Sequence, residues 1–129
     1  MGNIEHMPPG FEHENDNIAI DFDGVIHEFK GWGDGTCYGE PIEGSIKAIQ
    51  KLHSQNYDII IFTAKSKPNR PLVNGKTGTE LVWEWLKKYN IDQYVKEVTA
   101  EKPRAKIYID DKGYRFNNWK ETLKFITNE

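Results

Sequence analysis

Residues 18–25, IAIDFDGV, constrain this chain more than any other stretch: an apolar run of strand type stops at two aspartates one residue apart, with a glycine next. Ile18 to Ile20 are apolar at successive positions, the pattern of a strand covered on both faces at the centre of a sheet. A buried strand has no use for Asp21 and Asp23 unless something cationic waits at its end. Gly24 then lets the chain turn sharply and bring its backbone close to whatever the carboxylates hold.

The same grammar recurs along the chain. Residues 57–65, YDIIIFTAK, form a second β-branched and aromatic run ending in a polar side chain, Thr63, and 106–110, KIYID, end in acids, Asp110 and the following Asp111. A shorter strand is expected over 94–98. Between these runs Ile46, Ile49 and Leu52 recur at helical spacing within 43–56, behind Pro41, and Leu81, Val82, Trp85, Leu86 and Tyr89 make a broad apolar face over 79–89. A closing helix capped by Asn118 is predicted over 119–127. Strands alternating with helices build an α/β, Rossmann-like three-layer domain around a mainly parallel sheet, and such sheets bind ligands beyond the carboxyl ends of their strands. Asp21, Asp23, Thr63, Asp110 and Asp111 would then converge on one edge. Four carboxylates in one cleft repel unless a cation is bound, and oxygen donors without His or Cys in the strand-end motifs favour magnesium over zinc or copper.

A chain of 129 residues supports one compact domain, expected over 17–129 behind a leader at 1–16. The leader, MGNIEHMPPGFEHEND, has neither the basic flank nor the apolar core of a signal peptide. His6 stands where a myristoylation signal on Gly2 would need Ser or Thr, and His6 and His13 among acids read as a solvated terminus rather than a metal site. No apolar run approaches the ~18 residues of a membrane span. A net charge of −3, from 17 basic and 20 acidic side chains, gives no general pull toward nucleic acid or anionic lipid. The single cysteine, Cys37, allows no intrachain disulfide, which fits a cytoplasmic location, and reads as a small packing residue.

Two loops follow the first two strands. HEFKGWGDGTCYGEP, 27–41, carries four glycines, and its Trp32 and Tyr38 either form a small flap against substrate or pack the loop down. SKPNRPLVNGKTG, 66–78, is loop as well; its GKT resembles the tail of a phosphate-binding P-loop, but Arg70 stands where that motif requires glycine. Lys65, Lys67 and Arg70 either grip a distal phosphate or acidic substrate, or are solvated loop charges.

Taken in order, DFDGV, Thr63 within IFTAKS, Lys102 within EKP, and IYIDD resemble the four motifs of the haloacid dehalogenase-like phosphohydrolases, over roughly residues 18–112. The resemblance implies that Asp21 is the nucleophile of an aspartyl-phosphate mechanism. It makes Asp23 the acid and base that protonates the leaving oxygen and then activates water. It places Thr63 and Lys102 on the phosphate oxygens, with Lys106 as a competitor that starts its strand at the far end. Magnesium would be held by Asp21, the backbone carbonyl of Asp23, and Asp110 or Asp111. Gly24, Ala64, Lys65, Arg70 and Trp32 are the candidate substrate contacts. Val25 departs from the Thr that many members carry.

Neither gap between motifs is long enough for the cap domain with which larger members enclose small substrates. The site is therefore expected to be open. That suits a bulky phosphorylated substrate (a nucleotide, a nucleic acid end or a phosphoprotein) or a homo-oligomer in which another subunit supplies the cover; nucleic acid enters only as substrate. The expectation is a magnesium-dependent phosphomonoesterase. A receiver-like phospho-acceptor that holds phosphate without turnover is the non-enzymatic alternative, although receivers carry the acidic pair first and the phosphorylated aspartate on a later strand. In a third reading the aspartates are helix caps and turn formers. DxD also occurs in metal-dependent glycosyltransferases, but this chain is short for a nucleotide-sugar domain with an acceptor site.

Overall fold

The computed structural model describes residues 16–31, 33, 36–37, 39–101, 103, 105, 107–110 and 114–127. Strands β1 (Asn17–Asp21), β2 (Asp58–Phe62), β3 (Val95–Thr99), β4 (Ile107–Asp110) and β5 (Tyr114–Arg115) form one parallel sheet in the order β3-β2-β1-β4-β5. β1 takes the centre because Ile18, Ala19 and Ile20 have no polar face to offer water, and all three are 0% exposed. Helices α1 (Ser45–Ser54), α2 (Gly78–Lys88) and α3 (Trp119–Thr127) complete an α/β, Rossmann-like domain, and among the described residues no cap domain is present.

The helices form where periodicity and caps coincide. α1 buries Ala48, Ile49 and Leu52 along one stripe. It starts at Gly44, whose φ of +85° suits glycine and whose missing Cβ leaves room for the Trp119 Cβ, 3.1 Å from where it would stand. α2 opens with a capping box, the Thr77 hydroxyl accepting from the Glu80 N–H at 3.1 Å and the Glu80 carboxylate accepting from the Thr77 N–H at 2.9 Å. Its face of Leu81, Val82, Trp85 and Leu86 is buried. The predicted cap of α3 is present too: Asn118 Oδ1 accepts from the Glu121 N–H at 2.9 Å.

Two details depart from expectation. The third strand starts one residue later than predicted, because Asp92–Tyr94 close a 3-10 turn in which the Tyr94 N–H donates to the Ile91 carbonyl. β5, only two residues long, follows β4 and pairs with it.

Two contacts decide where the site stands. The Trp119 indole N–H donates to the Val25 carbonyl at 3.0 Å, tying α3 to the loop that follows β1. Gly78, at the start of α2, lies so close to the turn after β2 that a Cβ there would sit 1.6 Å from the Lys65 carbonyl oxygen. Helix packing thus pins both loops against the carboxyl edge of the sheet.

Candidate functional site

Parallel register assembles the first part of the site. Ile20 of β1 pairs with Ile109 of β4, so the next residues, Asp21 and Asp110, end neighbouring strands and share one face of the sheet by the alternation of side chains. Asp110 is 3% exposed and Asp21 half-buried. On the other flank Asp21 pairs with Phe62, and Thr63 follows at the end of β2, anchored by its N–H to the Thr99 carbonyl at 2.9 Å. Asp21, Thr63 and Asp110 therefore end the three central strands as the sequence reading expected. Lys102, Asp111 and Trp32, with Lys106 and Tyr38, lie outside the described residues.

The loop after β1 folds onto itself. The Phe22 carbonyl accepts from the N–H groups of Ile26 and His27 at 3.0 and 2.9 Å, and the Gly24 N–H donates to the His27 carbonyl at 2.8 Å. Gly24, at φ +85°, serves by making this turn, and its amide is spent within it. The turn stacks the His27 ring on Phe22, centroids 4.8 Å apart and 4° from parallel, with Trp85 edge-on to both.

Asp23 is gripped at both oxygens. His27 Nδ1 donates to Oδ1 at 2.8 Å, and the Lys65 ammonium donates to Oδ2 at 2.9 Å. His27 Nε2 accepts from the Gly39 N–H at 2.9 Å, an arrangement that assigns the ring proton to Nδ1. The Gly39 carbonyl in turn accepts from the Trp85 indole N–H at 2.9 Å. A chain of bonds runs from the carboxylate through His27 and Gly39 to the helix behind. Gly39 has no substitute there, since a Cβ would stand 1.9 Å from the Glu28 carbonyl oxygen.

These contacts set the charge of Asp23. Burial alone pushes its carboxyl up, but the hydrogen bonds from His27 and Lys65 and the positive charge of Lys65 outweigh it, and the carboxyl lies below its ordinary value. Asp23 is accordingly a carboxylate at neutral pH. Lys65 is 4% exposed, and its ammonium also stands 5.2 Å from the centre of the Phe29 ring. The solvated-charge reading of Lys65 is therefore corrected, because α2 presses its backbone inward and Asp23 takes its charge. Lys67 and Arg70 are exposed, as is Ala64, which opens the 3-10 turn Ala64–Ser66. The Thr63 hydroxyl caps that turn by accepting from the Lys65 N–H at 3.2 Å.

The glycine-rich loop is held at its base. His27 bridges Pro41, the Glu28 N–H donates to the Glu40 carbonyl at 2.9 Å, and the Ile42 N–H donates to the Ile26 carbonyl at 2.8 Å. Cys37 is half-buried, and burial raises its thiol to about 11, which keeps it neutral and supports a packing role. Beside it a recess of about 310 Å³ opens between the loop and α2, lined by polar and charged groups that include Asn74, Lys76, Glu84 and Lys88.

His27 as a partner of Asp23, and the pairing of Lys65 with that same carboxylate, were not legible in the sequence. The one sequence signal for His27 is its place four residues after Asp23, just beyond the apolar Val25 and Ile26.

The oxygen donors suit magnesium. Among the described residues no group of three or more His, Cys, Asp and Glu side chains is arranged to hold a metal ion. Magnesium does not require one, as it takes one or two protein carboxylates and completes its shell with water and phosphate oxygens. The oxygens placed where they could hold it are the Asp21 and Asp110 carboxylates, at the ends of neighbouring strands, and the Asp23 backbone carbonyl.

No family model and no curated protein matches the chain. Among solved structures it is similar to a conserved protein from Bacteroides thetaiotaomicron, with 19% identity over 87% of this chain and 89% of that one and a TM-score of 0.64. That likeness is one of fold. No helix among the described residues is long and apolar enough to cross a membrane.

Proposed function

We propose that the chain is a magnesium-dependent phosphomonoesterase working through an aspartyl-phosphate on Asp21, in the manner of the haloacid dehalogenase-like phosphohydrolases that its motifs resemble. The observation that carries this reading is the contrast between the two aspartates at the end of β1, Asp21 within it and Asp23 just beyond. Asp21 stands beside the buried Asp110, whereas the Asp23 carboxylate is turned to His27 and Lys65 and kept ionised. Two carboxylates two residues apart are thus given different work.

In the first step an Asp21 oxygen attacks phosphorus and the bond to the leaving oxygen breaks. The proton for that oxygen passes through Asp23, drawn from its hydrogen-bonded donors or from solvent. In the second step the Asp23 carboxylate takes a proton from the water that attacks the aspartyl-phosphate, releasing phosphate and restoring Asp21. Bound magnesium, held by Asp21, Asp110 and the Asp23 carbonyl, would neutralise charge on the phosphate oxygens. The Thr63 hydroxyl accepts from the Lys65 N–H, so its own proton can be given to a phosphate oxygen. Lys102 is the second cation in this scheme on its sequence motif alone.

A carboxylate held ready as a base argues for turnover, against the receiver-like alternative. Phosphate release from an aryl phosphate, measured with and without magnesium in the parent and in Asp21→Asn, tests the proposal. Magnesium-dependent release that vanishes in the variant, with its melting curve unchanged, is the expected result; retained activity would sink the mechanism.

A further inference from the structure

Three large apolar side chains are exposed among the described residues: Phe29, Leu72 and Phe125. Phe125 lies on α3, whereas Phe29 and Leu72 belong to the segments that follow β1 and β2, the strands that deliver Asp21 and Thr63. An isolated exposed apolar residue needs no explanation. The surroundings of Phe29 set it apart.

Phe29 is 41% exposed, and its ring lies 5.2 Å from an ammonium that is itself 4% exposed and bonded to Asp23 at 2.9 Å. A cation fixed by a part-buried ion pair attracts the ring electrostatically, so the ring is held in place while part of its surface faces solvent. The backbone beside it is fixed as well, by the pairing of Glu28 with Glu40 at the base of the loop. The ring therefore adjoins the cation that grips the proposed acid and base, and the oxygen that leaves phosphorus must come within reach of that same carboxylate. Whatever that oxygen carries is brought toward Phe29. The recess beside Cys37 offers a contrasting surface, with Lys76, Glu84 and Lys88 at its walls.

We propose that Phe29 is a specificity-determining residue, a platform on which a planar aromatic leaving group stacks. The site would then prefer phosphomonoesters of aryl or nucleoside type to those of small polyols. This inference rests on the phosphatase reading and narrows its substrate class.

The test compares the full-length parent with Phe29→Ala, Phe29→Tyr and Lys88→Ala, in magnesium, on phenyl phosphate and glycerol 2-phosphate. Phenol and glycerol differ as leaving groups, so the informative quantity is the change in the kcat/KM ratio on substitution. Phe29→Ala should lower that ratio about three- to tenfold, the range expected for losing an aromatic pair, while Phe29→Tyr and Lys88→Ala preserve it. The affinities of phenylphosphonate and methylphosphonate provide a second readout that needs no turnover: the parent should favour the phenyl compound and Phe29→Ala should lose that preference. An unchanged ratio in Phe29→Ala, or a ratio that moves in Lys88→Ala instead, would overturn the platform. Should the parent hydrolyse neither ester, the phosphatase reading fails, and the phosphonate pair still decides whether Phe29 selects aromatic ligands.

Discussion

The ammonium of Lys65 lies 2.9 Å from Asp23 Oδ2, although 42 residues separate the two in the chain. Both ends of this pair are set by backbone packing: the turn at Gly24 aims Asp23, and the close approach of Gly78 seats Lys65. Charge and position of the proposed acid and base thus depend on α2 as much as on β1.

Lys65→Met should cost about 3 kcal/mol, the low end of the range for breaking a buried ion pair, because Asp23 is 20% exposed and keeps His27. Adding Asp23→Asn to that variant should cost less than the single effects predict, since the pair is already broken. Urea denaturation of the four proteins of the cycle measures the coupling; additive costs would show that the ion pair contributes nothing.

The depressed carboxyl of Asp23 makes stability depend on pH in a fixed direction. A group whose folded value lies below its ordinary 3.8 contributes stability that is present above that value and lost as pH falls through the lower folded one. The parent should therefore lose stability on acidification below about pH 4 more steeply than Asp23→Asn, in which this group cannot titrate. Denaturant midpoints taken at successive pH values check this, and parallel curves for the two proteins would contradict it.

His27→Ala removes a donor from Asp23 and an acceptor from Gly39 in one change, leaving the Gly39 N–H without its bond in a buried place. The expected loss is about 3 kcal/mol or more, from the unmade bonds and the vacated ring space. If the His27 bond orients Asp23 for proton transfer, kcat should fall with KM little changed in His27→Ala, and His27→Gln, whose amide can still donate and accept, should recover part of the loss. A rise in KM alone would assign His27 to substrate binding instead.

Trp119→Phe keeps an aromatic ring, though a smaller one, but removes the N–H that reaches the Val25 carbonyl. About 1 kcal/mol of stability should go with it, and the loop carrying Asp23 should exchange its amide hydrogens faster. Hydrogen exchange confined to α3 would mean that the bond does not restrain the loop.

How much of this was written in the sequence depends on the range of the interaction. β1, β2 and the helices were legible because Ile18–Ile20, Ile59–Ile61 and the stripe of Leu81, Trp85 and Leu86 carry their burial in local periodicity. The meeting of Asp21, Thr63 and Asp110 followed from strand ends in a parallel sheet. β5 was not legible, as two residues hold no period. The partners of Asp23 were hidden for another reason: a lysine just after a strand reads alike whether it meets solvent or turns inward. Only the tertiary approach of Gly78 to the Lys65 carbonyl decides. Gly39 likewise looked like one more loop glycine until the Glu28 carbonyl was found against it.

The most direct test of the central claim locates the covalent intermediate. Asp23→Asn, which lacks the carboxylate proposed to activate water, is incubated with magnesium and an aryl phosphate, treated with borohydride to reduce any acyl-phosphate, and mapped by peptide mass spectrometry. The account predicts a reduced side chain at Asp21 and none in the Asp21→Asn variant. Modification at Asp110 instead, or an unmodified Asp21 in a variant that still binds the substrate, would contradict it.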